Sequence, residues 1–147
     1  MSTNVILRST KDRLRYVVSF EILLLAILIP AGSLFFEKSV YEVGILGVML
    51  AMKAMLLNLA YNRVFDQFDA KAGRISSQRS HLGRILHAIG FEVFLMVTSL
   101  PLYVWWLQVT VMEAILADGV VTTFIVGYTY AFTLAYDKSF PLHSPSN

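Results

Sequence analysis

Two glutamates stand inside otherwise apolar stretches of the chain and are its best candidates for chemistry. Glu21 and Glu92 each follow an arginine, Arg13 or Arg84, by eight residues, which is about 12 Å along a helix. An ionised carboxylate at that depth in hydrocarbon costs roughly 3 kcal/mol, so such a group readily holds a proton and can exchange it for a cation. We therefore predict that both glutamates are proton-coupling residues. The alternative is that they stay protonated and only hydrogen-bond across helix interfaces.

Several ionisable residues near these glutamates form a possible proton relay. His87 lies one turn before Glu92, and histidine changes its protonation state near neutral pH. It could equally be an interfacial aromatic residue, because Tyr16 occupies the matching place in the first half of the chain. The arginines could instead anchor their helices at the membrane interface, and the aspartates could form ordinary surface ion pairs. The relay candidates are His87, Arg84, Arg13, Asp66 and Asp137.

Polar and aromatic residues of the second apolar stretch are candidates for substrate binding. Asn58 and Asn62 are four residues apart and therefore share one helical face, at roughly the depth of the glutamates. They could line a polar site, or they could bond across a packed helix interface. With Glu21, Phe20 and Tyr61 they form the predicted substrate contacts, in which aromatic rings meet the apolar body of a cationic ligand.

Lys53 lies near the centre of the same apolar stretch, where a charged ammonium is costly. It could pair with a glutamate, line a wet cavity or be unprotonated. The sequence does not decide among these roles.

Four long apolar stretches must position these residues. A helix needs about 20 residues to cross a hydrocarbon core of about 30 Å. The chain of 147 residues is 56% hydrophobic and 15% charged, with a mean hydropathy of +0.63, and cannot supply the polar surface of a soluble domain. We predict an all-α integral membrane protein whose four transmembrane helices cover about 16–36, 42–65, 85–107 and 113–136.

The four stretches form two helical hairpins that are copies of one another. The connections at 37–41 and 108–112 are short, whereas 66–84 is a longer polar loop between the hairpins. We therefore place the first transmembrane helix pair at 1–70 and the second at 71–147. Two helices per repeat keep both copies in the same orientation, so their symmetry axis is expected along the membrane normal. A gapless shift of 71 residues aligns Arg13 with Arg84, Phe20 with Phe91, Glu21 with Glu92, Pro30 with Pro101, Glu42 with Glu113 and Asp66 with Asp137.

The basic residues predict the orientation of the helices. Lysines and arginines precede the first helix, occupy the central loop and follow the fourth helix, whereas only Lys38 lies on the other side. Because such residues stay cytoplasmic in short loops, both termini are predicted to be cytoplasmic.

Composition also argues against several classes of function. The chain has no cysteine, so it has no disulfide and no Cys-based zinc site. Its three histidines are not at metal-ligand spacing, and we expect neither a metal nor another cofactor. A formal net charge of +2, with no basic run among aromatics, gives no basis for nucleic-acid binding. No nucleophile–base pairing or phosphate loop suggests an enzyme.

Four nine-residue segments carry a resemblance to a known family. Segments 13–21 and 84–92 read RLRYVVSFE and RILHAIGFE, and they resemble its RxxHAxxFE motifs. Segment 58–66, NLAYNRVFD, resembles its WNxxYNxxFD motif, and segment 129–137, TYAFTLAYD, is a looser version. The family is the proteobacterial antimicrobial compound efflux (PACE) family, built from two bacterial transmembrane pair domains. The chain departs from its motifs by having Tyr16 for histidine, Leu57 for tryptophan, and Thr133 and Tyr136 for asparagine and phenylalanine.

The resemblance implies a proton-coupled exporter in the bacterial inner membrane. Its implied substrates are cationic biocides such as chlorhexidine and short aliphatic diamines, and Glu21 occupies the position of the proton-coupling glutamate. Because four helices make a small transporter, a homodimer is expected. The alternative is a non-transporting structural or regulatory membrane protein whose buried glutamates only stabilise helix packing.

Overall fold

Four long α-helices make up almost all of the described structure. The computed structural model describes residues 8–73 and 80–141. Within these ranges the chain forms helices and short connections, and each helix is long and apolar enough to cross a membrane. The predicted all-α membrane architecture is thereby confirmed. The helices are α1 (Thr10–Phe36), α2 (Val40–Lys71), α3 (His81–Leu107) and α4 (Val111–Ser139).

The helix boundaries repeat between the two hairpins because the same local signals recur 71 residues apart. Ser39 begins α2 with a capping box that includes Glu42, and Thr110 begins α4 with a capping box that includes Glu113. These reciprocal side-chain bonds satisfy backbone N–H groups that have no partner in the first helical turn.

The preceding helices, α1 and α3, end in the same way. Glu37 and Gln108 adopt left-handed backbone conformations, with φ of 53° and 55°. A left-handed residue at this point stops a helix and turns the chain sharply. The two short antiparallel connections follow from this pair of stops and caps.

The loop between the hairpins is shorter than predicted. The polar region was expected to be a loop from 66 to 84, but α2 continues to Lys71 and α3 begins at His81. Hydropathy marks where a helix leaves hydrocarbon, whereas backbone hydrogen bonding continues until a cap or break interrupts it. Ser80 provides such a cap, because its hydroxyl accepts from the Gly83 backbone N–H at 3.1 Å.

The four helices form a ring in chain order, with α1 against α2, α2 against α3, α3 against α4 and α4 against α1. We call the end near Thr10 and Ser139 the terminal end, and the end with the two short connections the hairpin end. A compact apolar cluster closes the hairpin end, while apolar side chains cover most of the outer surface, as expected for contact with lipid. The buried members of the cluster are Val43, Leu46, Tyr103, Leu107, Ala114 and Ala117.

Candidate functional site

A partly open cavity of about 590 Å³ lies between the four helices. All four helices line it, and along α1 its lining runs from Phe20 to Phe36, a rise of about 24 Å. The walls are mainly apolar, so the few polar groups on them define what the cavity can bind. Those polar residues are Glu21, Lys53, Asn58, Glu92, Ser99, Tyr103, Asp118 and Thr122.

The two predicted glutamates both line this cavity, in its half nearer the terminal end. Glu21 projects from α1 and is half-buried, whereas Glu92 projects from α3 and is more exposed. Neither carboxylate has a hydrogen bond or ion pair with any residue in the described ranges. A carboxylate that faces a mainly apolar cavity without a protein partner is available to a proton or to a cationic ligand. The structure therefore brings the two repeat-related groups to one space.

Phe20 forms part of the cavity wall beside Glu21. Its ring packs edge-on against Tyr128 and Phe132 of α4, with centroids 5.0 and 5.3 Å away. The Tyr128 hydroxyl also donates to the Phe20 carbonyl at 2.9 Å. These contacts fix α1 against α4 at the level of Glu21.

The two asparagines differ in their relation to the cavity. Asn58 lines it, and Asn62, one turn away, donates its amide to the Asn58 side-chain oxygen at 2.7 Å. The Asn62 side-chain oxygen in turn lies 3.1 Å from His87 Nε2. A hydrogen-bonded chain thus joins His87 to the cavity wall, while Asn62 itself is exposed and does not line the cavity.

Tyr61 faces α3 rather than the cavity. Its hydroxyl donates to the His87 carbonyl at 3.0 Å, and its ring lies 4.9 Å from the His87 ring and 5.3 Å from that of Phe91. The His87 Nδ1 atom is buried, and no residue in the described part of the chain hydrogen-bonds to it. In this position Tyr61 packs in the α2–α3 interface and contacts the cavity lining through Phe91.

The α1–α4 interface repeats this arrangement. Tyr16 and Thr133 occupy the positions that correspond to His87 and Asn62, and their hydroxyls lie 2.7 Å apart. The four motifs therefore act in pairs, that of α1 with that of α4 and that of α3 with that of α2. This pairing joins the two hairpins at the terminal half of the bundle.

The remaining relay candidates lie outside the cavity lining, at the terminal end. Asp137 accepts from Arg8 at 2.5 Å, and Arg8 also pairs with Asp12. Arg13, Asp66 and Arg84 are exposed. Asp137 therefore belongs to a polar contact between the ends of α1 and α4.

Two further charged residues line the hairpin-end half of the cavity. Lys53 donates from its ammonium to the Leu95 carbonyl at 2.9 Å, to Thr98 Oγ1 at 3.1 Å and to Ser99 Oγ. Asp118 of α4 lies across from it, close enough for the two charges to interact. From the sequence alone Lys53 has no assigned role and Asp118 was not predicted, although an acidic residue inside an apolar stretch is the same signal that identifies Glu21.

Among residues 8–73 and 80–141, no group of three histidine, aspartate or glutamate side chains is placed to hold a metal ion.

Comparison with known proteins gives a family and several relatives. The family described as chlorhexidine efflux transporter matches the chain twice, over residues 8–71 and 79–142. Proteins named short-chain diamines transporter are similar over nearly the whole chain. That of Acinetobacter baylyi is 33% identical over 87% of this chain and 89% of its own. The corresponding figures are 35%, 90% and 92% for Acinetobacter baumannii, and 31%, 88% and 91% for Vibrio parahaemolyticus. No solved structure matches the chain.

Proposed function

Because this chain belongs to the chlorhexidine efflux transporter family, we propose that it exports organic cations in exchange for protons. Membership of this family makes the protein a membrane transporter and not an enzyme. The alternative of a purely structural protein is thereby set aside. The two matches, one per hairpin, agree with the tandem repeat. The proposed substrates are cationic biocides such as chlorhexidine and short-chain diamines, because the relatives are named for diamine transport.

The observation that carries this proposal is a pair of glutamates in one cavity, neither of which has a hydrogen bond or ion pair among the described residues. Glu21 and Glu92 line the same space between the hairpins. A cation needs a negative partner to leave water for an apolar cavity, and a carboxylate provides it. The surrounding walls, including Phe20, suit the apolar body of such a ligand.

The exchange follows from competition for one carboxylate. Deprotonated Glu21 binds the cationic group of a substrate that enters from the cytoplasm or the inner leaflet. A proton from the opposite side then neutralises the carboxylate, and the loss of charge releases the substrate outward. The protonated glutamate returns and loses its proton to the cytoplasm, so one proton enters for each substrate that leaves this carboxylate.

We place the protein in the bacterial inner membrane with both termini in the cytoplasm. The basic residues near the terminal end support this orientation. Reporter fusions at the C-terminus and in the connection at 37–39 would test it, and a periplasmic C-terminus would reverse the assignment. We also propose a homodimer, which cross-linking in native membranes would test.

The transport proposal is tested with purified protein reconstituted into liposomes. With an imposed proton gradient, addition of 1,4-diaminobutane or chlorhexidine should dissipate the gradient, as reported by a pH-sensitive dye. Glu21→Gln should abolish that signal, because the amide neither binds a cation electrostatically nor titrates.

A matched control is Glu37→Gln, which removes an exposed carboxylate at the hairpin end, away from the cavity. It should transport like the wild type. Substrate-dependent proton movement that survives in Glu21→Gln would exclude Glu21 as the coupling residue and make Glu92 the next candidate.

A further inference from the structure

We propose that Asp118 is a second cation-binding site in the same cavity, which binds the far cationic group of a long dication. In the absence of substrate, the Lys53 ammonium neutralises part of the Asp118 charge. The proposal rests on the proposed function, since it assumes that Glu21 binds the near cationic group. It adds a residue and a class of ligand, namely two cationic groups joined by a long apolar chain.

Asp118 has surroundings that suit a cation-binding carboxylate. It lies on α4, two turns from the start of that helix, is half-buried and lines the cavity. It has no hydrogen bond or ion pair with any residue of the described ranges. A carboxylate in the apolar part of a membrane protein normally pairs with another group, and among the described residues the cation close enough to interact with Asp118 is Lys53.

The distance between Asp118 and Glu21 determines which ligands can reach both. The Tyr128 hydroxyl lies near the level of Glu21, because it donates to the carbonyl of Phe20, the residue before Glu21. Asp118 is ten residues before Tyr128 on the same helix, which corresponds to a separation on the order of 15 Å. An extended 1,10-diaminodecane can approach this span, whereas 1,4-diaminobutane is far too short. A short diamine must therefore use the glutamate end of the cavity alone.

Lys53 is placed to act as a tethered cation for the second site. Three acceptors of α3 hold its ammonium, including Ser99, which is seven residues from Glu92, or about 10 Å along the helix. The ammonium thus lies between the level of the glutamates and that of Asp118. It neutralises part of the Asp118 charge and repels an incoming cation at the same place, so removing it should favour long dications.

The experiment compares three ligands that separate charge from length. 1,10-Diaminodecane has two charges on a long chain, 1-aminodecane has the same chain with one charge, and 1,4-diaminobutane has two charges on a short chain. Their affinities are measured by calorimetry on the purified full-length protein in nanodiscs, at fixed pH and ionic strength, for the wild type, Asp118→Asn, Lys53→Met and Glu21→Gln.

The expected result is a selective change for the long dication. Asp118→Asn should lower the affinity for 1,10-diaminodecane roughly tenfold, the effect of losing one charge-assisted hydrogen bond. The affinities for the other two ligands should not change. Lys53→Met should strengthen the same ligand severalfold with little effect on 1,4-diaminobutane. Glu21→Gln should weaken all three.

Specific outcomes would overturn the proposal. If Asp118→Asn lowers the affinities for all three ligands equally, Asp118 has a structural role. If it lowers none of them, Asp118 has no role in binding. If Asp118→Asn does not fold, Lys53→Met and Lys53→Gln provide the test. The proposal is refuted if both variants bind 1,10-diaminodecane with the affinity of the wild type. Wild-type affinities in Glu21→Gln would instead contradict the proposed function, so the two failures are distinguishable.

Discussion

Replacing Gly90 with alanine should break the contact that fixes Tyr61 against α3. A Cβ atom added at Gly90 would lie 2.6 Å from the Tyr61 hydroxyl oxygen, well inside van der Waals contact. That hydroxyl donates to the His87 carbonyl at 3.0 Å, and the ring packs against Phe65 and Phe91. Tyr61 therefore cannot move away without losing the hydrogen bond and part of its ring packing.

Opposing effects determine how much Gly90→Ala changes the free energy of unfolding. Alanine stabilises a helix interior by about 1 kcal/mol relative to glycine. Displacing Tyr61 forfeits one hydrogen bond, about 1 kcal/mol, and weakens aromatic contacts worth about 0.5–1.5 kcal/mol each. The net effect of Gly90→Ala should be a destabilisation of about 1 kcal/mol. In a Tyr61→Phe background the overlap is removed, because the nearest remaining Tyr61 atom to the added Cβ is the ring Cζ at 3.9 Å. In that background Gly90→Ala should stabilise the protein by about 1 kcal/mol.

The measurement is a double-mutant cycle on the free energy of unfolding, by titration with sodium dodecyl sulfate in mixed micelles. The wild type, both single variants and the double variant are compared, and the coupling energy should be about 2 kcal/mol. Equal effects of Gly90→Ala in the two backgrounds would refute the close approach of Tyr61 to α3. Affinity for 1,4-diaminobutane supplies a functional check, because Tyr61 faces away from the cavity and Tyr61→Phe should bind the diamine nearly as the wild type does.

Three further predictions concern the site and the terminal end. Affinity for 1,4-diaminobutane should be lower in Glu21→Gln than in the wild type, because the amide has no charge that attracts a cation; calorimetry at fixed pH measures the difference, and equal affinities would exclude Glu21 from the binding site. Glu92→Gln should retain more transport than Glu21→Gln in the liposome assay, because Glu92 is the more exposed carboxylate, and the opposite order would reverse the assignment. Tyr136→Phe should destabilise the protein by about 1–3 kcal/mol in detergent titration, because the buried phenol oxygen accepts from Arg15 at 3.0 Å and donates to Asp12 at 2.8 Å; an unchanged midpoint would exclude this contact between α1 and α4.

Much of the architecture follows from properties that belong to one segment at a time. Hydrophobic length identifies a spanning helix because a bilayer has a fixed thickness, and the 71-residue repeat then predicts two equivalent hairpins. Glu21 and Glu92 are visible in the sequence because a charge in an apolar stretch is costly wherever the helix points. Asp118 satisfies the same criterion and was predictable. The helix ends were less accurate, because α2 extends to Lys71 through polar residues that hydropathy assigns to a loop.

The class of the protein, the number of its helices, the repeat and the positions of charged residues within apolar stretches all follow from the sequence alone. Which side chains share a space follows only from the packing of the helices, which places Asn58 on the cavity wall, turns Tyr61 towards α3 and sets Lys53 across from Asp118. Packing is needed because the lipid-facing and the packed sides of a membrane helix are both apolar. No hydrophobic stripe therefore reports how each helix is rotated, and rotation is fixed only by the neighbouring helices in the ring.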